Sequence, residues 1–155
     1  MYQYVEKSGM LRVGEERLVD RIDAPGWLLA AAARVWGSLD GKYVRVRVEI
    51  DGPDRAYPIE FSPHKLKLAG DTLPVNYGGF LTVYDDSCKA YAGAVAPSMP
   101  IPFAKRIEIK LIAPSTPVEE PTAPPINYYV AYALAKVIDE REFRQSLRSL
   151  LGLGA

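Results

Sequence analysis

Histidine and cysteine are almost missing from this chain. His64 and Cys88 are the only ones in 155 residues. A lone cysteine excludes an intrachain disulfide framework, and together the two leave the usual zinc ligand sets unfilled. Serine–histidine or cysteine–histidine catalysis would rest on His64 alone. That residue sits between Pro63 and Lys65 with no nucleophile or orienting carboxylate nearby, so it reads as a loop histidine. Cys88 lies beside Lys89, which would lower a thiol pKa, but a passive thiol is the plainer reading.

Net charge is missing too: nineteen Lys plus Arg face nineteen Asp plus Glu. A general nucleic-acid binder needs an electropositive surface to displace counterions, so that class is excluded. The best apolar run, Trp27 to Ala33, ends at Arg34 and is far too short to cross a bilayer. The start, Met1 to Glu6, has neither the basic residues nor the apolar stretch of a secretory signal. A cytoplasmic protein is expected on that ground, and a virion assembled in a cytoplasm fits equally well. Amides are scarce, limited to Gln3, Asn76, Asn127 and Gln145. With abundant charge and proline in connecting segments, this composition points to a hot environment.

Phosphate- and metal-binding motifs are absent as well. The glycines do not form GxGxxG or GxxxxGK, so no nucleotide cradle is expected. Asp85-Asp86-Ser87 offers oxygens, but no EF-hand spacing accompanies it. Glu119-Glu120 reads as a solvated stretch. No catalytic residue, metal ligand or cofactor site is assigned, and the chain is expected not to be an enzyme.

What the sequence does contain is punctuation and alternation. Thirteen prolines and twelve glycines favour many short elements. Lys42 to Asp51 places Val44, Val46, Val48 and Ile50 on one face, with Tyr43, Arg45, Arg47 and Glu49 on the other, the period of a strand. Ser38-Leu39-Asp40-Gly41 precedes it with a hairpin signal. Trp27 to Trp36 combines helical alanines with a turn at either end; a strand pairing with 42–51 is the preferred reading. Phe80 to Tyr84 and Ala90 to Ala96 form a second expected hairpin around Asp85-Asp86-Ser87, after which Pro97, Pro100 and Pro102 stop pairing. Phe103 to Ile112 is read as the next strand. Leu11 to Val13, Arg17 to Ile22 and Ala56 to Phe61 are shorter candidates. Ser62 to Gly79 reads as an excursion with a brief strand at Leu66 and Leu68.

Ala113 to Pro125 holds five prolines and reads as a semi-extended surface connection. The alternative is an arm lying on a neighbouring subunit. Beyond it, Tyr128, Val130, Tyr132, Leu134 and Ile138 share one face of a strand. Asp139 then caps a short helix, with Glu140 and Glu142 in its first turn and Gly152 after its end. At about 100° per residue, Phe143, Leu147, Leu150 and Leu151 form one apolar stripe. So short a helix is marginal alone and must dock, either on its own domain or on another chain. The expected organisation is a β domain over 1–138 and an amphipathic helix with its tail over 139–155. The fold class is mainly β: an antiparallel sandwich, jelly-roll topology included, of about eight strands with a short C-terminal α-helix.

Aromatics are numerous for so small a core. Trp36, Tyr43 and Tyr129 are the candidate contact surface, because tyrosine and tryptophan bury large area while keeping a polar handle. Such residues also stack on sugars, so a carbohydrate- or other ligand-binding module is the alternative to an assembly protein.

The strand KYVRVRVEIDG at 42–52, FLTVYDD at 80–86, PIPFAKRIEIKLIAPS at 100–115 and the closing strand and helix together give a recognisable outline. It resembles structural β-sandwich proteins of tailed phages and thermophilic viruses, capsid decoration proteins in particular. That resemblance implies a non-enzymatic virion component that self-associates, with a trimer as the favoured stoichiometry, or binds a larger protein shell. Neither nucleic acid nor membrane is expected as a partner.

Overall fold

A computed structural model describes residues 2–51, 59–62, 65–68, 77–97, 100–136, 141, 144, 145 and 148. Among them the chain is built from strands. They are β1 (Tyr2–Leu11), β2 (Glu16–Ile22), β3 (Gly26–Trp36), β4 (Arg45–Ile50), β5 (Ile59–Ser62), β6 (Lys65–Leu68), β7 (Tyr77–Asp85), β8 (Ala90–Pro97), β9 (Ile101–Phe103), β10 (Ile107–Ile112) and β11 (Ile126–Lys136). They form two antiparallel sheets. The first runs β1-β11-β3-β8-β7, with β9 also on β3, and the second runs β2-β10-β4-β5-β6. The mainly β expectation therefore holds.

Alternation sorts each strand between a core and an outer face. Val46, Val48, Ile107, Ile109 and Leu111 from the second sheet are buried with Leu28, Val35, Tyr91, Val130, Tyr132 and Leu134 from the first, in one hydrophobic cluster. Burying a side chain of this size contributes about 1.5–3 kcal/mol, so this cluster holds the fold. Polar links join the sheets as well. The Tyr132 hydroxyl donates to Asp20 on β2, and burial with that carboxylate nearby raises the phenol's pKa.

Four sequence expectations are corrected. Asp40-Gly41 does not close a hairpin, because β3 and β4 lie in different sheets. Leu39–Tyr43 is instead a 3-10 helix, with the Ser38 hydroxyl accepting the Asp40 N–H, and it carries the chain from one sheet to the other. Phe103 to Ile112 is not continuous. β9 belongs to the first sheet and β10 to the second, and the step between them is tied to Asp51. That carboxylate accepts the N–H groups of Ala104 at 2.8 Å and Lys105 at 2.6 Å. Pro102 does not stop pairing; it sits within β9 opposite Trp27. Finally, β1 runs from Tyr2, far beyond the Leu11 to Val13 expected.

The preferred strand at Trp27 to Trp36 is present as β3, paired with β11 and β8. Leu28 opposes Leu134 while Ala30 opposes Ala133, so Leu29 is the extra residue of a bulge that re-phases the strand. The 80–84 and 90–96 hairpin is present as β7 and β8, and the brief strand around Leu66 and Leu68 as β6. The proline-rich connector crosses from β10 to β11, hence from one sheet to the other. His64 and the four residues of the helical stripe, Phe143, Leu147, Leu150 and Leu151, lie outside the described residues.

Candidate interaction face

The two sheets present opposite chemistry to the outside. On the second sheet, alternation leaves charge, and the charges pair. Lys110 Nζ lies 3.0 Å from Glu49 and 3.9 Å from Glu108. Arg45 meets Glu60 at 2.7 Å, and Arg47 reaches both Glu60 and Glu49. Glu60 and Glu108 are buried beneath this lattice. Single exposed pairs contribute little, but a network across β10, β4 and β5 holds its members in register.

The first sheet is finished differently. The register sets Ala131, Ala32 and Ala94 side by side across β11, β3 and β8, with Ala133 and Ala30 in the next row. Alanine at every second position of three adjoining strands removes bulk and charge at once. The result is a shallow apolar trough with two depressions, of about 430 Å³ and 230 Å³, which meet at Ala32 and Ala94. Tyr4, 63% exposed, flanks one side and Val83, 62% exposed, the other. Arg34 stands exposed at one end, its guanidinium 4.8 Å from the Trp36 ring centroid. Tyr129 lines the trough opposite Arg34. A hydrogen bond with Tyr4, with desolvation and the Glu6 carboxylate, pushes its phenol up to about 12. It stays neutral and keeps an apolar ring beside the alanines.

Of the three aromatics singled out from sequence, Trp36 and Tyr129 share this outer face by register. Tyr43 does not join them. It is the last residue of the 3-10 helix and lies by Lys42, whose Nζ is 5.9 Å from its ring centroid. In the sequence the alanines of 30–33 read as helix-forming residues and not as a surface. The signal was present: small residues recur in step over 30–33, 90–96 and 131–135.

A second constellation surrounds Lys42. Its ammonium is buried, 3.0 Å from Asp86 and in contact with Glu119. Tyr84 and Tyr91 ring centroids lie 5.4 Å and 5.7 Å away, within cation–π range. Burial works against the charge, yet Glu119, Asp86 and the Tyr84 hydroxyl outweigh it and raise the lysine pKa. An ammonium held this firmly is neither nucleophile nor general base at neutral pH. Its work is structural. It ties the connector at Glu119 to the β7–β8 turn at Asp86. Asp40, fully buried, accepts the N–H groups of Val118 and Glu119, and Lys89 pairs with Glu120.

Cys88 is exposed in that turn. Among the described residues, no cluster of three or more His, Cys, Asp or Glu is placed to hold a metal ion. No protein-family model matches the chain, and no curated protein matches its sequence.

Proposed function

We propose that this chain is a non-enzymatic structural β-sandwich that works by protein–protein association, as a homo-oligomer or on a larger protein lattice such as a virus shell. The alanine trough on the first sheet carries the reading. A continuous apolar face is costly to leave wet and marks an interaction site. Its small side chains admit the close approach of another backbone or helix. The finished charge lattice on the other sheet supports the same division of labour: one face for solvent, one for a protein neighbour. The only firmly held buried cation, among the described residues, is committed to structure.

Light scattering over a range of concentrations tests this, comparing the native chain with Ala32→Glu and Ala94→Glu. The native chain should be oligomeric, and each variant should shift the equilibrium toward monomer by tenfold or more. Circular dichroism should show the variants folded. A strictly monomeric native chain that also fails to bind a protein scaffold would defeat the proposal. Glycan binding lost on Trp36→Ala would replace it with the ligand-binding alternative.

A further inference from the structure

We infer that β1 is a pairing edge, on which a second copy of this chain lays its own β1 antiparallel and extends the first sheet. The inference goes beyond the trough, because it uses a different surface. β1 is the end strand of its sheet, bonded to β11 alone. Its ten residues pair with β11 without a register shift and include no proline, so it lacks two of the devices that blunt an edge. The neighbouring edge, β2, is guarded. There Arg17 and Arg21 pair with Glu15 and Asp23, and the register slips between Ile109 and Lys110. On β1, by contrast, Tyr2, Tyr4 and Met10 stand 81%, 63% and 52% exposed.

The registers show which backbone groups are open. The Gly37 N–H donates to the Lys89 carbonyl at 3.2 Å, so the odd residues of β3 leading up to it bond toward β8 and the even ones toward β11. Carried across the sheet, this alternation turns the odd residues of β1 to β11. It leaves the N–H and C=O groups of Tyr2, Tyr4, Glu6, Ser8 and Met10 facing outward. The Met10 carbonyl agrees, since it accepts Arg17 Nη1 from β2 at 2.5 Å. That bond closes one end of the edge, and residues 2–8 stay open.

A two-fold axis normal to the sheet keeps each face on its own side, so even residues meet even ones and odd meet odd. Charge and the Arg17 cap then choose the register. Centring the pair on Glu6 or on Lys7 sets like charges directly opposite, which destabilises. Centring it on Ser8 draws in Met10, whose carbonyl Arg17 already holds. Centring it on Tyr4 leaves Lys7 and Ser8 outside most of the ladder. Centring it on Val5 avoids all of these. Tyr4 then opposes the partner's Glu6, Tyr2 opposes the partner's Ser8, and the two-fold repeats both pairs for about eight backbone hydrogen bonds. On the other face, Gln3 opposes the partner's Lys7. Gln3 Oε1 is buried with no hydrogen-bond partner among the described residues, and a turn of its amide toward the added strand meets that ammonium donor. The pairing joins two first sheets into one, with both alanine troughs on the same side.

Single-cysteine chains in a Cys88→Ser background test the register. Residues opposite each other in a non-hydrogen-bonded pair have Cα atoms about 4.5 Å apart, close enough for a disulfide. On oxidation, Val5→Cys should give a covalent homodimer as its main product, and Gln3→Cys mixed with Lys7→Cys a heterodimer. A Lys7→Cys homodimer as main product, or no dimer from Val5→Cys, would overturn the inference. Amide hydrogen exchange reads the native chain directly. The Tyr4 and Glu6 N–H groups should slow about tenfold or more as concentration rises, and fast exchange at every concentration overturns the pairing as well. Ala32→Glu separates the two surfaces. It attacks the trough, so the Val5→Cys link should persist beside it, and a link lost there belongs to the trough and sinks the edge pairing. An oligomer by light scattering that yields no link keeps the assembly reading and loses this one.

Discussion

The carboxylate of Asp40 accepts the backbone N–H of Glu119 at 2.7 Å. A residue that reads as half of a turn thus anchors the proline-rich connector from the opposite side of the chain. Asp40→Ala leaves the N–H groups of Val118 and Glu119 without this acceptor in a part-buried setting. The expected loss is about 2–3 kcal/mol, seen as a lower urea midpoint with an unchanged slope.

The acid limit of stability follows from the same region. Tyr91 and Lys42 hold Asp86 below its ordinary 3.8, and Lys89 holds Glu120 below its ordinary 4.5. Folded-state values lower than unfolded ones give stability that is present above the ordinary values and is lost as pH falls through the folded ones. Lys42 has the opposite sign, raised from 10.5, so its contribution is complete at neutral pH and fades only in strong alkali. Urea midpoints should be flat from about pH 8 to pH 5 and fall below about pH 4. Asp86→Asn should flatten that fall, and an unchanged acid profile would remove Asp86 from the account.

Tyr132→Phe removes the hydroxyl that donates to Asp20 but keeps the buried ring. About 1.5 kcal/mol should be lost, by thermal or urea unfolding. Asp20→Asn in the same background should add little, since the two substitutions break one bond.

Gly26→Ala should be among the most damaging small changes. A Cβ there would come within 2.8 Å of the Ala135 carbonyl oxygen and 2.8 Å of the Phe103 ring. Backbone on one side cannot yield as a side-chain tip would, so a loss of about 2–3 kcal/mol is expected. Gly14→Ala, where the nearest neighbour is at 3.5 Å but φ is +87°, isolates the cost of backbone conformation for comparison.

Strand identity was legible wherever alternation was clean. Val44, Val46, Val48 and Ile50 are all buried, as their spacing demands. Which strands pair was much less legible. Asp40-Gly41 carries a hairpin signal in its composition, but the buried contacts of Asp40 and Lys42 with Val118 and Glu119 override it, and no local pattern announces partners so far along the chain. Phe103 to Ile112 reads as one strand because nothing in 104–106 breaks it; the break is made by Asp51. The tyrosine-containing start of β1 lacks a clean apolar period, since an edge strand meets a neighbour on one side only. The alanine face was not legible, because alanine reads as neither core nor contact until three strands align it.

The placement of β11 between β1 and β3 has a consequence for biogenesis. Tyr4 pairs with Ala133, and Ala33 with Val130, so two early strands wait on a strand made much later. The ribosome must release most of the chain before the first sheet can close. Contacts so distant in sequence slow folding and leave β1 and β3 open to wrong neighbours in the interval. The later β11 arrives, the longer β1 and β3 stay open to such pairing.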